Sequence, residues 1–273
     1  MKDGRYQILL TNDDGILSPG LWAAAGVLSQ LGYVTVSAPR QQCSGMGRSL
    51  PVTSDGKIEP TRVLIGDQEW EVYAVGGSPA QSVLHAVMEI MPTPPDLVVS
   101  GINYGENPGE GISASGTVGA ALEAASLGIP AMAVSLELAN IGDYLSYSTE
   151  VDFSAAACFT GKFARLLLER QFPADVDLLK VEVPHQATCE TPWRITRLSR
   201  RRYFQPTPNG RPQWGEPHSL NYRIDPQLDQ DDPNTDTYTL IVDRQVAVTP
   251  LSLDFTARVD LPTLESQMRT WSA

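Results

Sequence analysis

Two adjacent carboxylates, Asp13 and Asp14, stand in the turn Asn12-Asp13-Asp14-Gly15, directly after the apolar run YQILLT. Anions this close repel, and one takes up a proton unless a cation is shared between them. A hard divalent cation with oxygen ligands relieves the repulsion, which points to Mg²⁺, Mn²⁺ or Ca²⁺. The alternative is a plain acidic turn in which Asp13 caps and Asp14 is solvated. A second polar segment, Ser44-Gly45-Met46-Gly47-Arg48-Ser49, offers two hydroxyls, an arginine and small residues that permit close backbone approach, or is simply a flexible loop. A third, Ser100-Gly101-Ile102-Asn103-Tyr104-Gly105-Glu106-Asn107-Pro108-Gly109, is dense in glycine and asparagine and runs on to Ser113-Ala114-Ser115-Gly116-Thr117. There Ser115, Gly116 and Thr117 open a helix, whose free amides make an anion site; Ser115 alone would be an ordinary cap.

The elements around these segments place them together. YQILLT is a short buried strand bounded by a turn. Ser18-Pro19 starts a helix with a hydroxyl cap and proline at the first position, Leu21, Ala24, Ala25, Leu28 and Leu31 form its apolar face, and Gly32 closes it. A second strand at 34–37 completes a β-α-β unit, so the sheet is parallel with a right-handed crossover. Extended segments follow at 50–53, 58–65 and 69–75, antiparallel at an edge. Helices are expected at 78–91, 115–127 and 153–170, and strands at 97–100, 131–135, 178–183 and 238–249. Ligands bind beyond the carboxyl ends of parallel strands, and all three polar segments lie there. The pattern is an α/β core over residues 1–196. Residues 197–273 read as a C-terminal hairpin and tail of the same domain, with 200–236 too poor in regular apolar residues to fold back on its own core.

Bulk properties bound the function. The chain has 273 residues, 42% hydrophobic and 19% charged, enough for a full core without staples. Three cysteines without a Cys-x-x-Cys pair fit a reducing compartment better than a disulfide framework. The first residues carry no apolar signal, and the longest apolar stretch, 117–136, is broken by Glu123, Gly128 and Pro130, so a soluble cytoplasmic protein with no membrane partner is expected. A net charge of −12 repels nucleic acid polymers, whose binding needs Lys and Arg; a small phosphorylated substrate is compatible if a cation reverses the local field. Gly109-Glu110-Gly111-Ile112-Ser113-Ala114 fits a loose dinucleotide pattern but is not in the first β-α turn, and no Gly-x-Ser-x-Gly elbow exists. His85, His185 and His218 are scattered, and Arg197, Arg200, Arg201 and Arg202 read as a solvated face.

Taken jointly and in order, ILLTNDDG, SAPRQQCSGMGRSL, VVSGINYGENPG and SGTVGAALEAASLGIPAMAVSL resemble the SurE (survival protein E) family of nucleotidases over residues 7–136, with a weaker match at VAVTPLSL. The resemblance implies a three-layer α/β/α sandwich with a Rossmann-like, mostly parallel sheet and a C-terminal hairpin exchanged between subunits of a homodimer or homotetramer. It implies divalent-metal-dependent hydrolysis of nucleoside 5′- and 3′-monophosphates. Matched residue by residue, it implies Asp13, Asp14, Ser44 and Asn103 as metal ligands. It also implies that Asn12, Asn107, Ser115, Gly116 and Thr117, with Gly45 of the second loop, line the phosphate pocket. Two positions depart from the family pattern: Gln81 stands where an acid is usual, and Cys43 where a basic residue precedes the loop serine. The catalytic expectation is Asp13, Asp14 and Asn12, with Asp13 or Asp14 as general base. The rival is a non-catalytic nucleotide or metal sensor on the same fold.

Overall fold

The computed structural model describes residues 4–65, 68–139 and 150–271. Strand β1 (Tyr6–Thr11) leads into helix α1 (Pro19–Leu28) and strand β2 (Gly32–Pro39), which runs parallel to β1. An antiparallel pair, β3 (Ile58–Ile65) and β4 (Gln68–Val75), closes one edge, with β4 parallel to β2. Helix α2 (Pro79–His85) continues through one wider turn to Ile90, and β5 (Leu97–Tyr104) pairs parallel to β1 on its other side. Then come α3 (Gly116–Ser126), β6 (Ala131–Leu136), α4 (Ser154–Glu169) and β7 (Leu178–Val183). The remaining elements are β8 (Trp193–Ile195), β9 (Phe204–Thr207), β10 (Asn221–Ile224), α5 (Asp236–Ile241), β11 (Val246–Leu251) and α6 (Leu261–Trp271).

Among the described residues the strands form one nine-stranded sheet, ordered β3-β4-β2-β1-β5-β6-β7-β11-β8, and a separate β9–β10 pair. Alternation along β1 separates the two faces of the core. Ile8 and Leu10 pack with Leu21 and Leu28 of α1 and Phe159 and Phe163 of α4, whereas Leu9 packs with Val83 of α2 and Val118 and Leu122 of α3. Helices thus cover both faces of a mostly parallel sheet, the expected three-layer sandwich.

Several local expectations are corrected. Residues 50–53 form a turn, not a strand. The 238–249 segment is not one strand: α5 comes first, because the Thr235 hydroxyl accepts the Tyr238 amide and caps a helix, and the strand begins only at Val246. The Ser18 hydroxyl makes no cap bond; the Leu21 and Trp22 amides go to its carbonyl instead. Cys158 and Cys189 form a disulfide between α4 and the loop before β8, so the cysteine count misled. The 200–236 segment does return to its own core at both ends, burying Tyr203, Leu228 and Asp236, and only the middle, β9–β10, stands largely exposed.

Candidate active site

The turn after β1 is built from its own side chains. Asn12 Nδ2 donates to the Gly15 carbonyl at 3.0 Å, and the Gly15 amide donates back to Asn12 Oδ1 at 3.1 Å. The carboxamide of Asn12 is therefore occupied in shaping the turn, and what it presents is the pair of aspartates that follow. Asp13 and Asp14 are 4% and 1% exposed, which is unusual for adjacent carboxylates.

Each aspartate is held by a neighbouring segment. Asp13 Oδ1 accepts the Thr117 hydroxyl from the first turn of α3, and the amides of Gly116 and Thr117 also hydrogen-bond to Asp13. Asp14 Oδ2 accepts the Tyr104 amide at 2.9 Å, and Oδ1 accepts Gln42 Nε2 at 3.4 Å. Burial nonetheless pushes Asp13 above its ordinary value. Burial first, then the charge of Asp13, pushes Asp14 up to about 8.

The other two segments converge on this turn. The Cys43 amide donates to the Asp13 carbonyl at 2.7 Å, which brings Ser44, the next residue, alongside the acidic pair; the Ser44 side chain itself is exposed. Gly45 has φ +77° and open space around it, at the tip of the loop. The loop then docks on α3: the Gly47 amide donates to the Ala114 carbonyl at 2.9 Å, and a Cβ on Gly119 would lie 2.2 Å from the Gly47 oxygen. A Cβ on Gly116 would meet Asp13 Oδ2 at 2.8 Å, so that position too must be bare for helix and turn to touch. Ser115 caps α3 through the Val118 amide, as its alternative reading had it.

On β5 the pairing with β6 shifts between Ser100 and Asn103. The extra residue re-aims the end of the strand, as bulges near sites do. Asn103 Nδ2 donates to the Gly105 and Tyr104 carbonyls, so Oδ1 is the atom left to meet a cation. Asn107 lies beside β6 and β7: its Nδ2 donates to Ser135 Oγ at 3.1 Å, on the residue that pairs with Asn103, and its amide to Glu182 Oε2 at 2.9 Å.

Among the described residues no three His, Cys, Asp or Glu side chains gather as a metal cage. The set assembled here is different in kind: two buried carboxylates, both raised by burial and Asp14 also by the charge of Asp13, an amide oxygen and an adjacent hydroxyl. All are hard oxygen donors, and a divalent cation would restore the ionised state of both acids, so these residues fit one.

Sequence reasoning missed two groups at the same end of the sheet. Lys180 and Glu182 point from β7 into the interior, each 0% exposed, with Asp236 at the start of α5. Glu137, after β6, accepts both Arg244 guanidinium nitrogens and the His185 amide and ring. The signal for the first was two charges alternating within the strand LLKVEV. Nothing in spacing marked the second. The departures are also placed. Gln81 accepts from the Ser78 amide and the Ser54 hydroxyl and donates to the Pro51 carbonyl, a donation that an acid could not make. Cys43 is half-buried, and burial with the nearby Asp13 charge pushes its thiol up, so it stays neutral.

Comparisons with known proteins give the family. The family described as survival protein SurE matches residues 8–205. A protein of Methanosarcina mazei named 5′-nucleotidase SurE is 41% identical over 95% of this chain and 96% of its own length. One of Thermococcus gammatolerans with the same name is 44% identical over 95% of both. The crystal structure of the SurE protein of Aquifex aeolicus superposes with a TM-score of 0.74 at 30% identity, covering 98% of this chain and all of that one. The family model, the relatives and the solved structure agree, and the chain belongs to the SurE survival-protein family.

Proposed function

We infer that this chain is a 5′-nucleotidase, releasing phosphate from nucleoside monophosphates. The observation that carries the reading is the buried Asp13–Asp14 pair at the carboxyl end of β1, met by the first turn of α3, in a chain whose relatives bear that enzyme name. Those enzyme names also count against the alternative of a non-catalytic sensor.

Asp13, Asp14, Ser44 and Asn103 would hold one divalent ion, Mg²⁺ or Mn²⁺, with Ca²⁺ able to occupy the same oxygen set. When bound, it supplies Lewis-acid polarisation of the phosphoryl group and acidifies the attacking water. The chain's residues do the rest. Asp13 takes the proton of that water, oriented by the Thr117 hydroxyl on Oδ1. Gly116, Thr117 and Asn107, with Gly45 at the loop tip, hold the phosphate oxygens, and Ser115 keeps the α3 amides in register for them. Asn12 serves by shaping the turn. The neutral Cys43 and the amide of Gln81 tune substrate preference, not the reaction.

Action on 3′-monophosphates, a cytoplasmic location and homodimer or homotetramer assembly belong to the same proposal. Support for assembly comes from residues 197–273, which expose Tyr222 on β10 and Leu261, Leu264, Met268 and Trp271 on α6. No helix among the described residues is long and apolar enough to cross a membrane. Purified protein should release phosphate from nucleoside 5′-monophosphates with Mn²⁺ or Mg²⁺ and stop on chelation. Full turnover in excess EDTA would overturn the metal assignment.

A further inference from the structure

Lys180 is the only wholly buried lysine or arginine among the described residues. A lysine rarely survives at 0% exposure without full pairing, and this one is paired on three sides. Its Nζ donates to Asp236 Oδ2 at 2.8 Å, to Glu182 Oε1 at 3.2 Å and to the Asn107 carbonyl at 3.0 Å. The two acids it pairs with also turn toward the same loop. Glu182 Oε2 accepts the Asn107 amide at 2.9 Å, and Asp236 Oδ2 accepts the Gly109 amide at 2.8 Å. Every ion of the cluster therefore bonds to the backbone of residues 107–109, while Asp236 also takes the Ser199 and Thr237 amides. A scaffold ion pair needs no such convergence on one loop. We propose that Lys180, with Glu182 and Asp236, is a positioning device that holds the Asn107 loop at the height needed to grip a substrate phosphate. It acts through the backbone and touches no reacting atom.

The proposal rests on the reading of Asn107 as a phosphate-binding residue, so the experiment separates the two. Removing Lys180 alone would strand two buried anions, so the variant to make is Lys180→Met with Glu182→Leu. It replaces the strand's ion pair by apolar side chains and leaves Asp236 to its backbone donors. Asn107→Ala is made beside it. For each the readouts are KM for a nucleoside 5′-monophosphate, kcat, the inhibition constant of inorganic phosphate, the Mn²⁺ activation constant and the melting temperature.

A loop that binds phosphate equally before and during reaction gives, when loosened, a higher KM with kcat kept. The expected result is therefore a tenfold rise in KM and in the phosphate inhibition constant for the double variant. Its kcat should stay within threefold and its Mn²⁺ activation constant should be unchanged, since Asp13, Asp14 and Asn103 are untouched. If Asn107→Ala raises both constants and the folded double variant keeps them within twofold of wild type, the cluster is only scaffold and the proposal falls. If Asn107→Ala changes neither constant, the loop does not grip phosphate, and the pocket assignment of Asn107 falls together with the positioning role.

Discussion

Asp13 with Asp14, and Glu182 with Asp236, are two pairs of buried carboxylates, and the fold provides for them in opposite ways. The second pair meets the ammonium of Lys180 and a set of backbone amides. Burial pushes Asp236 up, but Lys180 and the Gly109 and Ser199 amides outweigh it and hold the carboxyl below its ordinary value. At Glu182, by contrast, burial outweighs Lys180 and the Asn107 amide, and the carboxyl is raised. At the first pair the hydrogen bonds include those from the Thr117 hydroxyl, the Gly116, Thr117 and Tyr104 amides and the Gln42 side chain, and both acids are raised. Carboxylates that share a buried ammonium hold the fold together, and two crowded carboxylates pushed up by burial are poised for a cation. The acidic turn is thus where burial of crowded carboxylates works against stability.

The comparison can be broken at either end. The largest effect is expected from Lys180→Met alone, which leaves Glu182 and Asp236 uncompensated and should cost about 3–5 kcal/mol of stability. An unchanged urea midpoint would show that the cluster carries no structural weight. Asp14→Asn should do the reverse. It should lose at least ~3 kcal/mol of transition-state stabilisation, read from kcat/KM over a Mn²⁺ titration. Without metal its melting temperature should equal or exceed that of the parent, because a repulsion is gone. If that variant unfolded, or kept near-native turnover at low metal, the acidic turn would be structural. Asn103→Ala removes only a neutral oxygen donor, so a loss of about 1.4 kcal/mol, tenfold in rate, is expected. Raising Mn²⁺ should recover part of it, and no recovery at saturating metal would count against a ligand role.

The smallest effect sharpens the balanced side of the comparison at Glu137. Burial pushes its carboxyl up, but Arg244 and the His185 N–H groups outweigh it and hold it below the ordinary 4.5. A carboxyl lowered in the folded state contributes stability that is complete above its unfolded value and disappears as pH falls through the folded one. Glu137→Gln should therefore cost roughly 1 kcal/mol at neutral pH. The gap to wild type should close as pH is taken below 4.5. A gap that persists undiminished in acid would show that the charge of Glu137 is not what matters.

The acidic turn was legible in the sequence, and its supports were not, for physical reasons. YQILLT and the NDDG turn are contiguous, and the glycines of the two long loops announce close backbone approach, so their convergence follows from strand order. The helix at 236–241 was hidden because T-Y-T-L-I-V alternates like a strand; only the Thr235 cap decides otherwise, and a cap is one hydrogen bond. Gly32 looked like a helix end, but it is bare because a Cβ there would lie 2.4 Å from the Tyr6 carbonyl on the neighbouring strand. Cys158 and Cys189 are 31 residues apart, and no spacing rule predicts that α4 and the loop before β8 meet. The Lys180 cluster joins β7 to α5 across 56 positions, and only the fold brings such partners together.

The bare face of α3 divides what the chain can alter from what it cannot. Gly116 and Gly119 lie one turn apart, and each costs the helix roughly 1 kcal/mol relative to alanine. Any side chain there would lift the second loop or the acidic turn out of place. The tip of that loop is under no such restriction, since Gly45 has open space around it and Met46 is exposed. Substitutions at 45 and 46 can therefore reshape the mouth of the site while its seat stays as it is. A search for new substrates by mutation has its freedom at the rim, with two glycines as the hinge pins it must leave alone.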